Sequence, residues 1–325
     1  MDDAVGRILG MQGGVVARRQ ALAAGLDDDD LERLLRRRDL SRVHPGVYVG
    51  HTGAMTWLER AWAAVLFHAP AALAGPSALR LHRTGARLVD PGTVDDAIHV
   101  VVATGRRLNP PAGVLLHRVT RFDAVVLANL GPPRVRVEHA LLSVASAARS
   151  EAGAVAVLAD GCQQGLTTPD RLATALAIEL RLPRRRLLLA VVGETAAGVR
   201  SVLEHRYRSR VELPHGLPTG QRQRRVRLGR STAYRDVEYR GPGIGRGLVV
   251  ELDGRLGHEA ALDRWADLDR DIAATRAGDL TVRLGWGQVM APCRLGAAVG
   301  ELLLARGWQG RPRSCRPGCD VEALS

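Results

Sequence analysis

The chain is 325 residues long, 46% hydrophobic and 25% charged, which excludes a disordered polymer and leaves room for two or three domains. It holds 46 Lys plus Arg against 34 Asp plus Glu, a net +12, and it contains no Lys, so Arg carries all of that positive charge. Such an excess favours a polyanionic partner, nucleic acid first; GC-rich codon usage would explain the choice of Arg over Lys but not the excess itself. No apolar run reaches the ~18 residues a membrane span needs. The start MDDAVGRILG lacks the basic and apolar regions of a signal peptide, so a cytoplasmic protein without membrane contact is expected.

Residues 1–50 read as a small winged helix. Asp3–Gly10 forms a first helix and Val16–Ala24 a second, stopped at Gly25. Asp27 caps a third, in which Leu31, Leu34 and Leu35 make the buried stripe. Leu40–Val43, the turn His44-Pro45-Gly46 and Val47–Val49 then make a two-stranded wing. Helix, turn, helix and wing is a DNA-binding layout with the third helix as reader. The acids Asp27–Asp30 at the start of that helix suit its dipole but repel phosphate. Phosphate contact is therefore expected from Arg33, Arg36, Arg37 and Arg38 on its outer face and C-terminal end, and from Arg42 in the wing. A winged helix used for protein contact is the alternative. The second-helix spacing and the wing RDLSRVHPGVYV resemble the N-terminal domain of AbiEi-type antitoxins of abortive-infection toxin–antitoxin systems. That resemblance implies binding to the promoter of its own operon and a toxin as protein partner.

Residues 51–195 read as an α/β connecting domain. Thr56–His68 is a helix, and Gly75-Pro76-Ser77 opens another through Leu81. Ile98–Ala103 and Gly113–Arg118 are strands; Glu138–Ala148, Ala154–Gly165 and Asp170–Leu180 are amphipathic helices. His82, His99, His117 and His139 are too dispersed for a metal site and read as structural. Leu182–Arg186 reads as a hinge whose arginines form a solvated face or helix start, with phosphate contact as the alternative.

Residues 196–310 carry the candidate chemistry. The run QRQRRVRLGR places Arg225 and Arg227 on one side of a strand, where they can grip a nucleic-acid backbone. Tyr234–Tyr239 alternates as a half-buried strand, a glycine-rich turn follows, and Leu248–Leu252 is an apolar strand with Glu251 embedded in it and Asp253 at its end. If the two strands pair antiparallel, Asp236 lies beside Glu251, and carboxylates brought together call for a hard divalent cation such as Mg²⁺. Spacing alone leaves open that these acids are solvated residues of an exposed sheet face. Trp265, Leu268 and Ile272 mark a helix, Leu280–Leu284 and Gln288–Met290 continue the sheet, and Arg294–Arg306 is a last helix. Residues 311–325 read as a loose tail. Cys162, Cys293, Cys315 and Cys319 read as free thiols; Cys315-x3-Cys319 has zinc-like spacing, but no second pair or His follows it.

The segment ELDGRLGH followed by DRWADLDRD is similar to the signature of domains related to very-short-patch-repair endonucleases, in the PD-(D/E)xK superfamily. The resemblance covers roughly residues 202–290. It implies a restriction-endonuclease-like fold in which Asp236 and Glu251 bind Mg²⁺ or Mn²⁺, with Glu204 and Asp253 in support. Asp253 stands where the superfamily carries Lys. His258 then handles protons, while Arg270 holds the scissile phosphate. The expectation is an α/β chain, α+β overall: winged helix, connecting domain and endonuclease-like domain. Its expected work is DNA binding with metal-dependent phosphodiester hydrolysis in a toxin–antitoxin or phage-defence setting; the alternative is an inactive antitoxin or repressor.

Overall fold

A computed structural model describes residues 3–82, 96–193, 203–228, 231–241, 244–253 and 278–324. The chain is mixed α/β and divides into two compact units, residues 1–144 and 145–325. The division falls inside the segment expected to be one connecting domain. Among the described residues no helix is long and apolar enough to cross a membrane.

The first unit opens with α1 (Asp3–Met11), β1 (Val15–Ala17), α2 (Arg18–Ala23), α3 (Asp28–Arg36), β2 (Ser41–His44) and β3 (Val47–Val49). This is the winged-helix element order, with one correction. Val16 and Ala17 do not start the second helix but belong to the strand Val15–Ala17, paired antiparallel with β3 in the sheet order β1-β3-β2. Alternation along these strands covers the sheet on both faces. Val16 and Tyr48 pack with Val5, Leu9, Ala21, Leu31 and Leu40 of the helical side. Val15, Ala17, Val47 and Val49 pack instead with Trp62, Ala63 and Leu66 of α4 (Trp57–Phe67). Residue 50 is therefore not a break in packing. Then come a five-stranded sheet, order β6-β5-β4-β8-β7, from Ala72–Leu73 (β4), Ile98–Ala103 (β5), Val114–Val119 (β6), Val126–Leu127 (β7) and Arg134–Val135 (β8), and the helices Gly75–His82 (α5), Phe122–Val125 (α6) and Val137–Ala147 (α7). Of the four dispersed histidines, His99 and His117 do meet, ring nitrogens 2.9 Å apart and rings stacked, on neighbouring strands.

The second unit contains the helices Glu151–Gln163 (α8), Pro169–Ile178 (α9) and Arg185–Val192 (α10), the first two capped by Ser150 and Thr168. Within Leu182–Arg186, Arg185 opens α10, as the helix-start reading expected, and Arg186 is exposed. Arg184 donates to the Ser146 carbonyl at 2.6 Å, and Arg185 to those of Glu179 and Leu176, so they satisfy carbonyls at helix ends.

A π-helical turn, Tyr207–Glu212, packs beneath a four-stranded sheet of Gln221–Leu228 (β9), Ser231–Gly241 (β10), Ile244–Asp253 (β11) and Leu280–Gly285 (β12), in the order β12-β11-β10-β9. The first three strands are antiparallel neighbours, and β12 runs parallel to β11. A parallel return needs a crossover of a dozen or more residues, and residues 254–277 supply the length. Where Gln288–Met290 was expected to extend the sheet, Trp286–Val289 is a short helix (α11), followed by Pro292–Ala305 (α12). Nor is the tail loose: Pro312, Cys319 and Val321 are buried, and the tail packs on α12.

Candidate carboxylate site and basic wing

Three hydrogen-bonded tyrosine and glutamate groups fix the sheet on the π-helical turn. Tyr239 donates to Glu212 Oε1 at 2.6 Å, its hydroxyl lies 2.9 Å from that of Tyr207, and Glu212 forms an ion pair with Arg222. Gly220 lets β9 approach this closely, since a Cβ there would stand 2.3 Å from Val237 Cγ1. Further along, Glu238 is buried but receives Arg224 at 2.8 Å, Arg235 at 2.7 Å and Arg240 at 3.0 Å. Arg235 and Arg240 also pair with buried Asp279. A buried carboxylate is tolerated when it is surrounded in this way.

The register between β10 and β11 runs through Val237↔Val250, Glu238↔Val249 and Tyr239↔Leu248. Beyond Val237 the two strands no longer pair with each other. β10 continues beside β9 to Ser231↔Leu228, and β11 continues beside β12 to Asp253↔Gly285. The sheet splits at that point, and one further step of the register would set Asp236 opposite Glu251. Asp236 bridges the split: its Oδ2 accepts the Leu252 N–H at 2.8 Å, a bond that a main-chain carbonyl of β10 would make in a continuous ladder. β11 is buried on both faces at Leu248, Val249 and Val250, after which Glu251 is half-buried and Asp253 exposed. The strand thus emerges into solvent where its acids lie.

Gln223 supplies the third wall. Its Nε2 donates to Glu204 Oε1 and, at 3.2 Å, to Asp236 Oδ1, so one amide links the upstream Glu to the strand Asp. Gln223 has φ 49, a left-handed backbone rare for a non-glycine strand residue and one that costs about 1–3 kcal/mol. Sequence reasoning missed this residue, since nothing in QRQRRVR distinguishes it from its neighbours. It also missed Arg283, which the β11–β12 register sets beside Glu251. In a chain without Lys, that position brings a permanent positive charge to the carboxylate end of the sheet.

Glu204, Asp236, Glu251 and Asp253 therefore belong to one end of the sheet. His258 and Arg270, with the helix expected around Trp265, lie outside the described residues, as does the side chain of Arg227. Arg225 is exposed, while its neighbours Arg222 and Arg224 are held by Glu212 and Glu238. Among the described residues, the metal-type ligands that close on one point are His215, Cys293, Cys315 and Cys319 rather than the carboxylates.

In the winged helix, three of the four acids at the start of α3, Asp27, Asp28 and Asp30, are already occupied. Asp27 accepts the Asp30 N–H at 2.7 Å and Asp30 the Asp27 N–H at 3.2 Å, a reciprocal cap. Asp28 accepts from Arg18 at 2.9 Å, and that hydrogen bond holds its carboxyl below the usual range. Asp30 also pairs with Arg33, and Asp39 with Arg37 at 3.5 Å. Arg36, Arg38 and Arg42 are exposed and form no ion pair among the described residues. Comparison with protein-family models and with curated proteins finds no match.

Proposed function

We propose that the chain is a DNA-binding protein whose winged helix contacts the duplex, and whose C-terminal sheet carries a metal-dependent phosphodiesterase site of endonuclease type. The observation that carries the second half is the split between β10 and β11, with Asp236 bridging it and Glu251 on the strand that emerges to solvent. Asp236 and Glu251 offer the hard oxygen donors that Mg²⁺ or Mn²⁺ takes. Such an ion, when bound, activates water and stabilises charge on a phosphate undergoing hydrolysis. Glu204 holds the Gln223 amide against Asp236, and Arg283 stands where a scissile phosphate needs a cation. Arg36, Arg38 and Arg42 support the first half, since surface arginines without carboxylate partners remain available to phosphate oxygens.

The likeness of the wing to AbiEi-type antitoxins favours a toxin–antitoxin or phage-defence setting, with a toxin as protein partner. A second reading, a regulator that binds without cutting, is favoured by one observation: Asp253, not Lys, follows Glu251, and the chain has no Lys to take that place. One pair of experiments separates the two. Plasmid cleavage with Mg²⁺ is compared between the wild type and Glu251→Gln, and gel shift is run on the DNA upstream of the gene against unrelated DNA. Cleavage lost in Glu251→Gln supports the enzyme. Equal cleavage in both proteins removes it, and specific shift without any cleavage supports the regulator.

A further inference from the structure

The C-terminal segment after α12 holds few apolar side chains. Residues 307–324 read GWQGRPRSCRPGCDVEAL, a composition that buries too little to order itself against chain entropy. Yet it is folded back. Pro312 lies against Gly300, where a Cβ would stand 2.7 Å from its ring, and Arg313 N–H donates to the His215 carbonyl at 2.9 Å. Glu322 closes the loop between Cys315 and Cys319, accepting from Ser314 Oγ at 3.1 Å and Gly318 N–H at 3.2 Å.

Four side chains from three separate parts of the second unit meet where this segment turns. They are His215 just beyond the π-helical turn, Cys293 in the first turn of α12, and Cys315 and Cys319. Their ligand atoms all lie within 4.8 Å of one another. The Cys293 and Cys315 sulfurs are 3.7 Å apart, and those of Cys315 and Cys319 3.8 Å. Sulfurs about 2.3 Å from a single tetrahedral zinc stand about 3.8 Å from each other. None of these cysteines is in a disulfide.

The imidazole gives an independent indication. His215 is fully buried and its Nδ1 donates to the Val211 carbonyl at 2.8 Å, which leaves a lone pair on Nε2. That Nε2 is buried and has no hydrogen-bond partner among the described residues. A buried nitrogen left idle is costly, whereas a ring held by N–H to a backbone carbonyl is how metal-ligating histidines are usually oriented. Gly296 on α12 makes room for the ring, since a Cβ there would stand 2.7 Å from His215 Cγ.

We infer that His215 Nε2 and the thiolates of Cys293, Cys315 and Cys319 form a structural Zn²⁺ site that fastens the C-terminal segment to α12 and the π-helical turn. Binding displaces the three thiol protons to solvent and leaves imidazole neutral. Four protein ligands fill the tetrahedron, so no position is open for a reacting water. Sulfur and imidazole donors select zinc over Mg²⁺, which keeps this site chemically distinct from the carboxylate end of the sheet.

The test uses the full chain, purified without a histidine tag. Elemental analysis is expected to find about one zinc per chain. It should find less than about a tenth of that in the Cys315→Ser/Cys319→Ser double variant, and no change in Cys162→Ser, whose thiol is buried in α8. Because the double variant can misfold, the wild type is also stripped with a chelator and refilled with Co²⁺. Thiolate-to-cobalt charge transfer and the intense visible bands of a tetrahedral site are expected, and His215→Cys should retain the metal while shifting those bands. A purified chain without zinc that also gives no tetrahedral cobalt spectrum overturns the proposal. So does full zinc stoichiometry in the double variant.

Discussion

Replacing Asp236 by Asn and by Ala separates what the carboxylate does for the fold from its role in the proposed hydrolysis. The residue is 2% exposed, with Oδ2 accepting from Leu252 N–H at 2.8 Å and Oδ1 from Gln223 Nε2 at 3.2 Å. Alanine removes both acceptors and strands a buried main-chain donor, which costs about 1–3 kcal/mol. Asparagine keeps one carbonyl oxygen for Leu252 but turns an NH₂ toward Gln223, a net loss of about 0.5–1.5 kcal/mol. Thermal unfolding of the full chain should therefore rank the wild type above Asn above Ala, with Ala lower than wild type by about 3–10 °C. Both substitutions remove the negative charge, so Mg²⁺-dependent plasmid cleavage should fall more than ~100-fold in each, including the better-folded Asn variant. An Asn variant that cuts at the wild-type rate refutes the metal role. An Ala variant as stable as Asn refutes the claim that Asp236 substitutes for a ladder carbonyl at the split.

Removal of Glu238 as Glu238→Ala should destabilise the second unit by about 1–3 kcal/mol, because buried Arg235 loses one of its two carboxylate partners; a denaturation midpoint within error of wild type would count against this. Acid should weaken the first unit. Burial pushes His82 and His117 below their ordinary value, and His44 likewise, the last also repelled by His68. Their folded pKa values lie below the unfolded value of about 6.5, so stability is complete above that pH and is lost as pH falls through the window beneath it. An unfolding temperature unchanged between about pH 7.5 and pH 5.5 would contradict it. If Arg36, Arg38 and Arg42 make the phosphate contacts, log K for DNA should fall with log salt at a slope of about −2.7, and Arg42→Ala should reduce that slope by about 0.9. A slope indifferent to all three substitutions would place the contacts elsewhere.

The elements visible in the sequence are those whose signals are local. Thr168-Pro169-Asp170 marks a helix start by its chemistry, and Thr168 does accept the Arg171 N–H at 3.4 Å. Ile98–Ala103 is apolar enough to be read as a strand directly. What escaped depends on partners distant in the chain. Val15–Ala17 continues smoothly into a helical pattern, and only pairing with Val47–Val49 makes it extended. Cys315 and Cys319 announced a metal-type spacing, but Cys293 and His215 complete the set from another helix and from the turn before β9, which no linear motif reveals. At the carboxylate end, alternation with an assumed antiparallel pairing put Asp236 beside Glu251, and the observed register stops one step short of that pair. Gln223 and Arg283 were not readable, because their places follow from register and from one left-handed residue.

Charge read from composition also changes meaning once the ion pairs are known. The run QRQRRVR reads as a grip for polyanions, yet Arg222 pairs with buried Glu212 and Arg224 with buried Glu238, which leaves Arg225 as the one of those three without an ion pair among the described residues. Both carboxylates are buried, where a charge without a partner is costly. The basic character of β9 is thus partly a requirement of the fold. In the winged helix the assignment runs the other way: Asp27, Asp28 and Asp30 at the start of α3 are engaged by its own cap and by Arg18 and Arg33. The arginines at the other end of that helix and in the wing are left exposed. Among the described residues, α3 and the wing hold three exposed arginines without an ion pair, Arg36, Arg38 and Arg42, against Arg225 in β9.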